Sequence, residues 1–346
     1  MKKYLLSVFS LCLATMVFAQ EAEQKPSPWS CTGVVGLNAS ATGLVNWAAG
    51  GNNNINGVAF GKVRLLYNEN NLSWETNLNL EYGLSYIDQK YDPFQKSSDV
   101  IDFKTKFGWQ FHKAWFLTIS GGFKSQFDLG RAYDGTEATD PIVSKFLAPS
   151  YTDISVGIDW KPNSIFSVYL SPVAGQITTA VVGDAMNAKY ADMFALENGG
   201  LRQVMQEKYA TWTYSKVANA DGTYDKIYKN YKAELGLTFK GTINYTYKDL
   251  KIITSVGLFT PYTWDKTEIF DANGDFIGYR DNNRRFGNFD VDWDAAISYQ
   301  FLKCLNVTLS TSLKYYNGVK IANADGVLAE RVQFKSILGL GVGYSF

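Results

Sequence analysis

The last sixteen residues, Arg331 to Phe346, alternate between two chemistries. Val332, Phe334, Leu338, Leu340, Val342, Tyr344 and Phe346 share one parity, broken only by Ser336. Arg331, Gln333, Lys335, Gly339, Gly341, Gly343 and Ser345 share the other, broken only by Ile337. A β-strand sends successive side chains to opposite faces, so this segment reads as a strand whose faces meet different surroundings. Strands of soluble sheets usually run about 5–6 residues. A longer one, apolar on one face and polar on the other, fits a stave of a membrane barrel.

The same grammar recurs from Trp29 onward. In Leu72 to Tyr86, Leu72, Trp74, Leu78, Leu80, Tyr82, Leu84 and Tyr86 share a face with Thr76, while Glu75, Asn77, Asn79 and Glu81 share the other. Phe289, Val291, Trp293, Ile297, Tyr299 and Phe301 alternate with Asp290, Asp292, Asp294, Ser298 and Gln300. Such segments begin near residues 30, 56, 72, 99, 114, 151, 164, 230, 250, 287, 305 and 331, which predicts about twelve strands. The connections alternate short and long. Asn68–Asn71, His112–Lys113, Lys161–Ser164, Lys248–Asp249 and Leu302–Cys304 are short; Tyr91–Ser98, Asp128–Ser150, Val181–Asn230, Tyr262–Phe286 and Asn317–Leu328 are longer. Short periplasmic turns and long outer loops are the habit of outer-membrane barrels. Turn centres chosen on this basis place Arg64 opposite Glu75, Asp102 opposite Lys124, Trp109 opposite Leu117, Asp292 opposite Lys314 and Tyr299 opposite Val307. Trp109, Phe111, Trp115, Trp160, Phe166, Tyr245, Tyr247, Tyr299 and Phe301 fall beside short turns, where an interfacial girdle would lie.

The expected domain plan is a signal peptide over 1–19, a polar lead-in over 20–28 and a barrel over 29–346. Lys2 and Lys3 precede a short apolar run, and Val17-Phe18-Ala19 offers a cleavage site. No later segment holds about 18 uninterrupted apolar residues, as a spanning helix would need. The chain is 15% aromatic with 30 Gly, and its formal net charge of zero gives no footing for nucleic acid. Cys31 and Cys304 both fall near short-turn ends, leaving a bridge and two separate thiols open.

Catalysis finds little support. After the leader the chain has one histidine, His112, in a tight turn, whereas a Ser–His hydrolase needs its base beside a serine. No cofactor and no metal are expected. Asp271-Ala272-Asn273-Gly274-Asp275 spaces oxygens as a calcium loop would, but it lacks the following Gly and a clear bidentate Glu, so a plain turn is expected. The inward face instead gathers charge. Asp290, Asp292 and Asp294 form an acidic ladder, with Asp102, Glu75 and Glu81 as further acids and Arg64, Lys104, Lys106, Lys124 and Lys314 as bases. These are the candidate lumen or constriction residues. They serve either a narrow channel for a small polar solute or a lumen filled by charge pairs. The 181–230 loop carries Met186, Tyr190, Met193, Phe194, Leu201 and Met205 around Gly199-Gly200, which suggests two short helices packed on the rim or folded in as a plug.

Asn46-Trp47-Ala48-Ala49-Gly50-Gly51, Trp74-Glu75-Thr76-Asn77, Ala148-Pro149-Ser150-Tyr151, Ser171-Pro172-Val173-Ala174-Gly175 and Asp290-Val291-Asp292-Trp293 occur in order. Together with the closing strand they resemble an uncharacterised "domain of unknown function" family of outer-membrane β-barrels from Bacteroides-type bacteria. The resemblance implies an outer-membrane location and contact with its lipid, and supplies no substrate. A terminal aromatic, here Phe346, is the signal that outer-membrane assembly machinery reads in such proteins. The expected fold is thus all-β, a transmembrane antiparallel up-and-down barrel. The expected function is passage of a small polar solute through a charged lumen, or a closed barrel that meets partners through its outer loops.

Overall fold

The computed structural model describes residues 27–42, 54–133, 141–263, 265–271, 273–302, 305–317, 320–322 and 328–345. The signal peptide expected over 1–19, the Asn46–Gly51 block, Cys304 and Phe346 lie outside them. Twelve strands close into one antiparallel barrel: β1 (Trp29–Thr42), β2 (Asn54–Glu69), β3 (Leu72–Ile87), β4 (Phe94–His112), β5 (Trp115–Ser125), β6 (Ser150–Trp160), β7 (Phe166–Thr179), β8 (Tyr231–Tyr247), β9 (Leu250–Pro261), β10 (Asp290–Leu302), β11 (Leu305–Tyr315) and β12 (Gln333–Ser345). Each strand pairs with its sequence neighbours. β1 closes on β12 from Val34↔Ser345 to Ala39↔Leu340.

The alternation decides the faces. Outside stand Leu37, Trp74, Ile119, Ile154, Leu170, Leu309 and Leu338, all exposed. Inside stand the charges and Tyr169, which is buried. The few polar groups on the outer face are paired there. Trp74 Nε1 donates to Thr105 Oγ1 at 2.8 Å, and Thr76 Oγ1 lies 2.9 Å from the same hydroxyl. Trp293 Nε1 repeats the arrangement on Thr254 Oγ1 at 2.9 Å. Thr76 therefore interrupts the apolar parity of β3 without leaving a polar group unsatisfied, which on an apolar face would cost several kcal/mol, of order ~2–7.

Rings gather at the short-turn end. Trp115 and Trp160 are cross-strand neighbours with centroids 6.2 Å apart, and Trp29 contacts Tyr67 and Trp74 at 5.0 and 5.7 Å.

Four of the five expected pairings are observed: Asp102↔Lys124, Trp109↔Leu117, Asp292↔Lys314 and Tyr299↔Val307. The fifth shifts by two. The turn from β2 to β3 is Asn70–Asn71, so Arg64 faces Asn77 and Leu66 faces Glu75. Asn70 holds a left-handed φ of 53°, which asparagine tolerates better than most residues. A slip of two keeps every side chain on its face, and Arg64 Nε still reaches Glu75 Oε1 on the diagonal at 2.8 Å.

The expected loop Tyr91–Ser98 is shorter than its polar residues suggested. β4 begins at Phe94, and Lys96 and Gln95 pair with Leu84 and Ser85 across a bulge. Ring contact between Tyr86 and Phe94, 5.1 Å between centroids, extends the ladder past the polar run. A second irregularity lies at Ser171–Val173 in β7, where the register shifts against both β6 and β8. Ser171 Oγ donates within 2.8 Å of the Val156 and Val173 carbonyls. Gly157 faces this bulge so closely that a Cβ there would sit 2.2 Å from the Leu170 carbonyl oxygen. Gly157→Ala is expected to cost about 1–3 kcal/mol through backbone displacement; a lower urea midpoint of the heat-modifiable gel band in detergent would measure it.

Candidate functional site

Inside the barrel, charge is arranged in tiers. Nearest the short turns, Asp159 of β6 is 0% exposed and is held by two cations: Lys106 Nζ at 2.5 Å and Lys161 Nζ at 3.1 Å. Ser167 Oγ donates to it at 2.8 Å. Lys106 reaches Asp159 from β4 across β5, whose inward Thr118 and Ser120 are small. Its ammonium also sits 4.9 Å from the Tyr169 ring centroid, and Tyr169 donates to Ser155 Oγ at 3.0 Å. The Arg64–Glu75 pair belongs to this tier, since Glu75 is opposite Lys106.

The middle tier holds most of the remaining candidates. Lys104 pairs with Asp102 at 3.1 Å, Lys62 with Glu81 at 3.8 Å, Lys240 with Asp153 at 3.3 Å and Lys314 with Asp292 at 3.2 Å. Tyr316 donates to Asp292 at 2.8 Å, and Ser312 to Asp294 at 2.7 Å. Gly122 leaves the room that Asp153 fills, because a Cβ there would lie 2.4 Å from its Oδ1. Lys124 is cross-strand to Asp102.

The acidic ladder expected on β10 is not an open row of negative charge. Asp290 is buried under Arg284, which approaches its two oxygens at 3.0 and 2.7 Å, while Asn317 N donates to it at 2.9 Å. The same guanidinium pairs with Glu234 of β8 and donates to the Asn317 carbonyl at 2.8 Å. Arg284 ends a hairpin, Asp265–Phe270 with Phe276–Arg284, that rises from the long-loop side. Loop residues gave no sequence signal for this latch, because the strand alternation stops before Arg284. Asp292 is likewise paired; of the three, Asp294 alone has no cation within ion-pair distance among the described residues.

The long loops fuse into a crown. Helix α1 (Asp184–Lys189) and helix α2 (Gly200–Lys208) are the two expected in the 181–230 loop. Leu201 and Met205 of α2 bury against Ile142, Ala148, Ala180 and Val182. Lys145 Nζ donates to the Val181 carbonyl at 2.9 Å, and Tyr209 to the Val143 carbonyl at 2.5 Å. Burial pushes the Lys145 and Lys208 ammonium groups down and the Tyr209 phenol up. The loop thus packs on the rim and on the neighbouring 141–149 segment. Arg280, 3.8 Å from the Tyr214 ring centroid, ties the 262–286 hairpin to the same assembly.

The opposite arc of the wall is nearly bare. On the short-turn half of β10, β11 and β12 the inward residues include Ala296, Ser298, Asn306, Thr308, Ser310, Gly339 and Gly341, whereas the long-loop half of the same strands carries Asp290, Asp292, Asp294, Lys314 and Lys335. Nothing lies within 4 Å of a Cβ built on Gly339. Lys104 and Lys62, facing this arc, keep 57% and 53% of their side-chain surface exposed although the barrel surrounds them.

Elsewhere, His112 is exposed and ends β4, paired with Trp115 beside the turn rather than lying in it. Asp271 Oδ1 accepts backbone N–H groups from Asn273 and Asp275, both at 2.9 Å, which makes that segment a side-chain-closed turn. Cys31 is exposed and points outward beside Leu65.

Residues 39–130 match a family described as "Protein of unknown function (DUF3078)". No curated protein matches the chain. Among solved structures, the COG4313 outer membrane channel from Pseudomonas putida F1 is 9% identical, with 95% of this chain and 100% of that one covered and a TM-score of 0.38. The translocator domain of the autotransporter NalP from Neisseria meningitidis is 10% identical, with 100% and 96% covered and a TM-score of 0.35. Outer membrane phospholipase A from Escherichia coli is 11% identical, with 95% and 96% covered and a TM-score of 0.31. With identities and TM-scores this low, nothing about activity passes from them to this chain.

Removing Arg284 would leave the buried Asp290 without its cation beside Glu234, which would keep only Lys232 at 3.6 Å. Arg284→Ala is expected to cost about 3–5 kcal/mol locally. Limited proteolysis of the intact barrel should then cut the 265–284 hairpin faster, with the heat-dependent gel shift retained.

Proposed function

We propose that this protein is an outer-membrane β-barrel enclosing a narrow aqueous passage for small polar solutes. The short turns would face the periplasm and the crown the exterior. The outer apolar face, the ring of aromatics at the short turns and the paired outer-face hydroxyls support a bilayer as the surroundings. The observation that carries the passage is the contrast inside. Charged side chains fill one arc and neutralise each other, while the arc around Gly339 has open space above its backbone. Twelve strands stand between the number that side chains can fill and the number that leaves a wide channel, so how the side chains are distributed decides whether a path remains.

A closed barrel acting as a surface-interaction component is the second reading. It draws on the exposed Phe276, Ile277, Tyr279 and Phe286 of the crown.

Single-channel recording in planar bilayers separates the two. Stable small conductance is expected for the wild type. Gly339→Phe should lower it by about half or more by narrowing the bare arc. Gly57→Phe, at an outward glycine that also has no neighbour within 4 Å, should leave it unchanged. A folded barrel without conductance, whose partners are recovered by cross-linking, would support the second reading.

A further inference from the structure

The lumen charges do not cancel evenly around the wall. On the filled arc almost every carboxylate has a lysine or arginine against it, and Asp159 holds two. On the bare arc two lysines stand alone. Lys251 of β9 is inward, opposite both Thr246 and Ser298, and is exposed. Lys335 of β12 is inward, opposite Ser312, and is exposed. Neither has an ion-pair partner among the described residues.

Their position is as informative as their charge. Lys251, Ser298, Thr308 and Gly339 follow one another across four adjacent strands in a single run of pairings. Lys251 therefore stands on the same rung as the open space over Gly339. Its neighbours there are hydroxyls, Ser298 Oγ and Thr308 Oγ1, 2.9 Å apart. Lys335 lies four residues from Gly339 along β12, about 13 Å of strand. Asp294 shares a rung with Lys335 through Ser312, accepts from Ser312 Oγ at 2.7 Å and has no cation at contact distance among the described residues.

We propose that the passage selects small anions, carboxylate or phosphate solutes among them, and that Lys251 and Lys335 are the residues that set this preference. This rests on the passage reading and gives it a sign. A solute moving along the bare arc meets two ammonium groups in succession and hydroxyl donors between them. Of the carboxylates on these strands, Asp290 and Asp292 are held by cations, and Asp294 accepts from Ser312 on the rung of Lys335. Isolated ammonium groups attract without holding tightly, which suits passage more than capture. The effect fades as salt rises, because the screening length falls from about 10 Å at 0.1 M to about 3 Å at 1 M.

The test is the reversal potential of the full-length barrel in planar bilayers under a dilute potassium chloride gradient. The wild type should pass chloride in preference to potassium. Lys251→Gln with Lys335→Gln should bring the permeability ratio down by about twofold or more, with the heat-dependent gel shift unchanged. Conductance with a potassium preference would overturn the anion assignment and leave the passage standing. An anion preference that survives the double substitution would overturn the role given to these lysines. No conductance from a folded barrel would overturn the passage and this inference with it.

Discussion

Everything else in this molecule depends on the ladder between β1 and β12. A sheet with two free edges exposes rows of unpaired N–H and C=O groups, and an apolar medium offers them no partner. Joining Val34–Ala39 to Leu340–Ser345 removes both edges at once. Closure also fixes the meaning of the alternation, since one parity must then face out and the other in. Gly341 of β12 makes room at the closure for Asn38 and Asn306, since a Cβ there would lie 2.4 and 2.9 Å from their amide oxygens.

Once charged residues are confined to the inner face, they must find partners there. They do so unevenly. The β2–β8 arc is filled by pairs such as Arg64–Glu75, Lys104–Asp102 and Lys240–Asp153, with Tyr169 packed among them. The short-turn half of the β10–β12 arc carries glycine, serine and threonine, with charge only toward its long-loop end. The asymmetry concentrates free volume on one side, and it is there that the two unpaired lysines stand. A lumen that was evenly lined would have spread the same side chains into a plug.

The crown repeats this logic with apolar side chains. Segments of three separate loops converge above the barrel: α2 buries Leu201 and Met205 against Ile142, and Arg284 descends from a third loop to Glu234 and Asp290. Two carboxylates on one guanidinium hold the hairpin to the wall. They also take Asp290 out of the acidic row that its spacing from Asp292 and Asp294 suggests.

The barrel was legible in the sequence because its physics is local. Period-2 alternation fixes strand and face, and a short turn fixes register to within two residues, as Arg64 and Glu75 illustrate. The starts of nearly all twelve strands follow from that alone, with β4 the exception, where polar Gln95 and Lys96 join the ladder. Ion pairs across adjacent strands, such as Asp292 with Lys314, are readable for the same reason. Contacts that skip strands are not: Lys106 reaches Asp159 over β5, and Arg284 arrives from a loop with no periodicity. Only closure of the barrel brings such residues together. The sequence by itself determined which face each residue takes, because that depends on parity. The tertiary structure decided which charges are neutralised and where space remains, because both depend on distances across a lumen that no single strand contains.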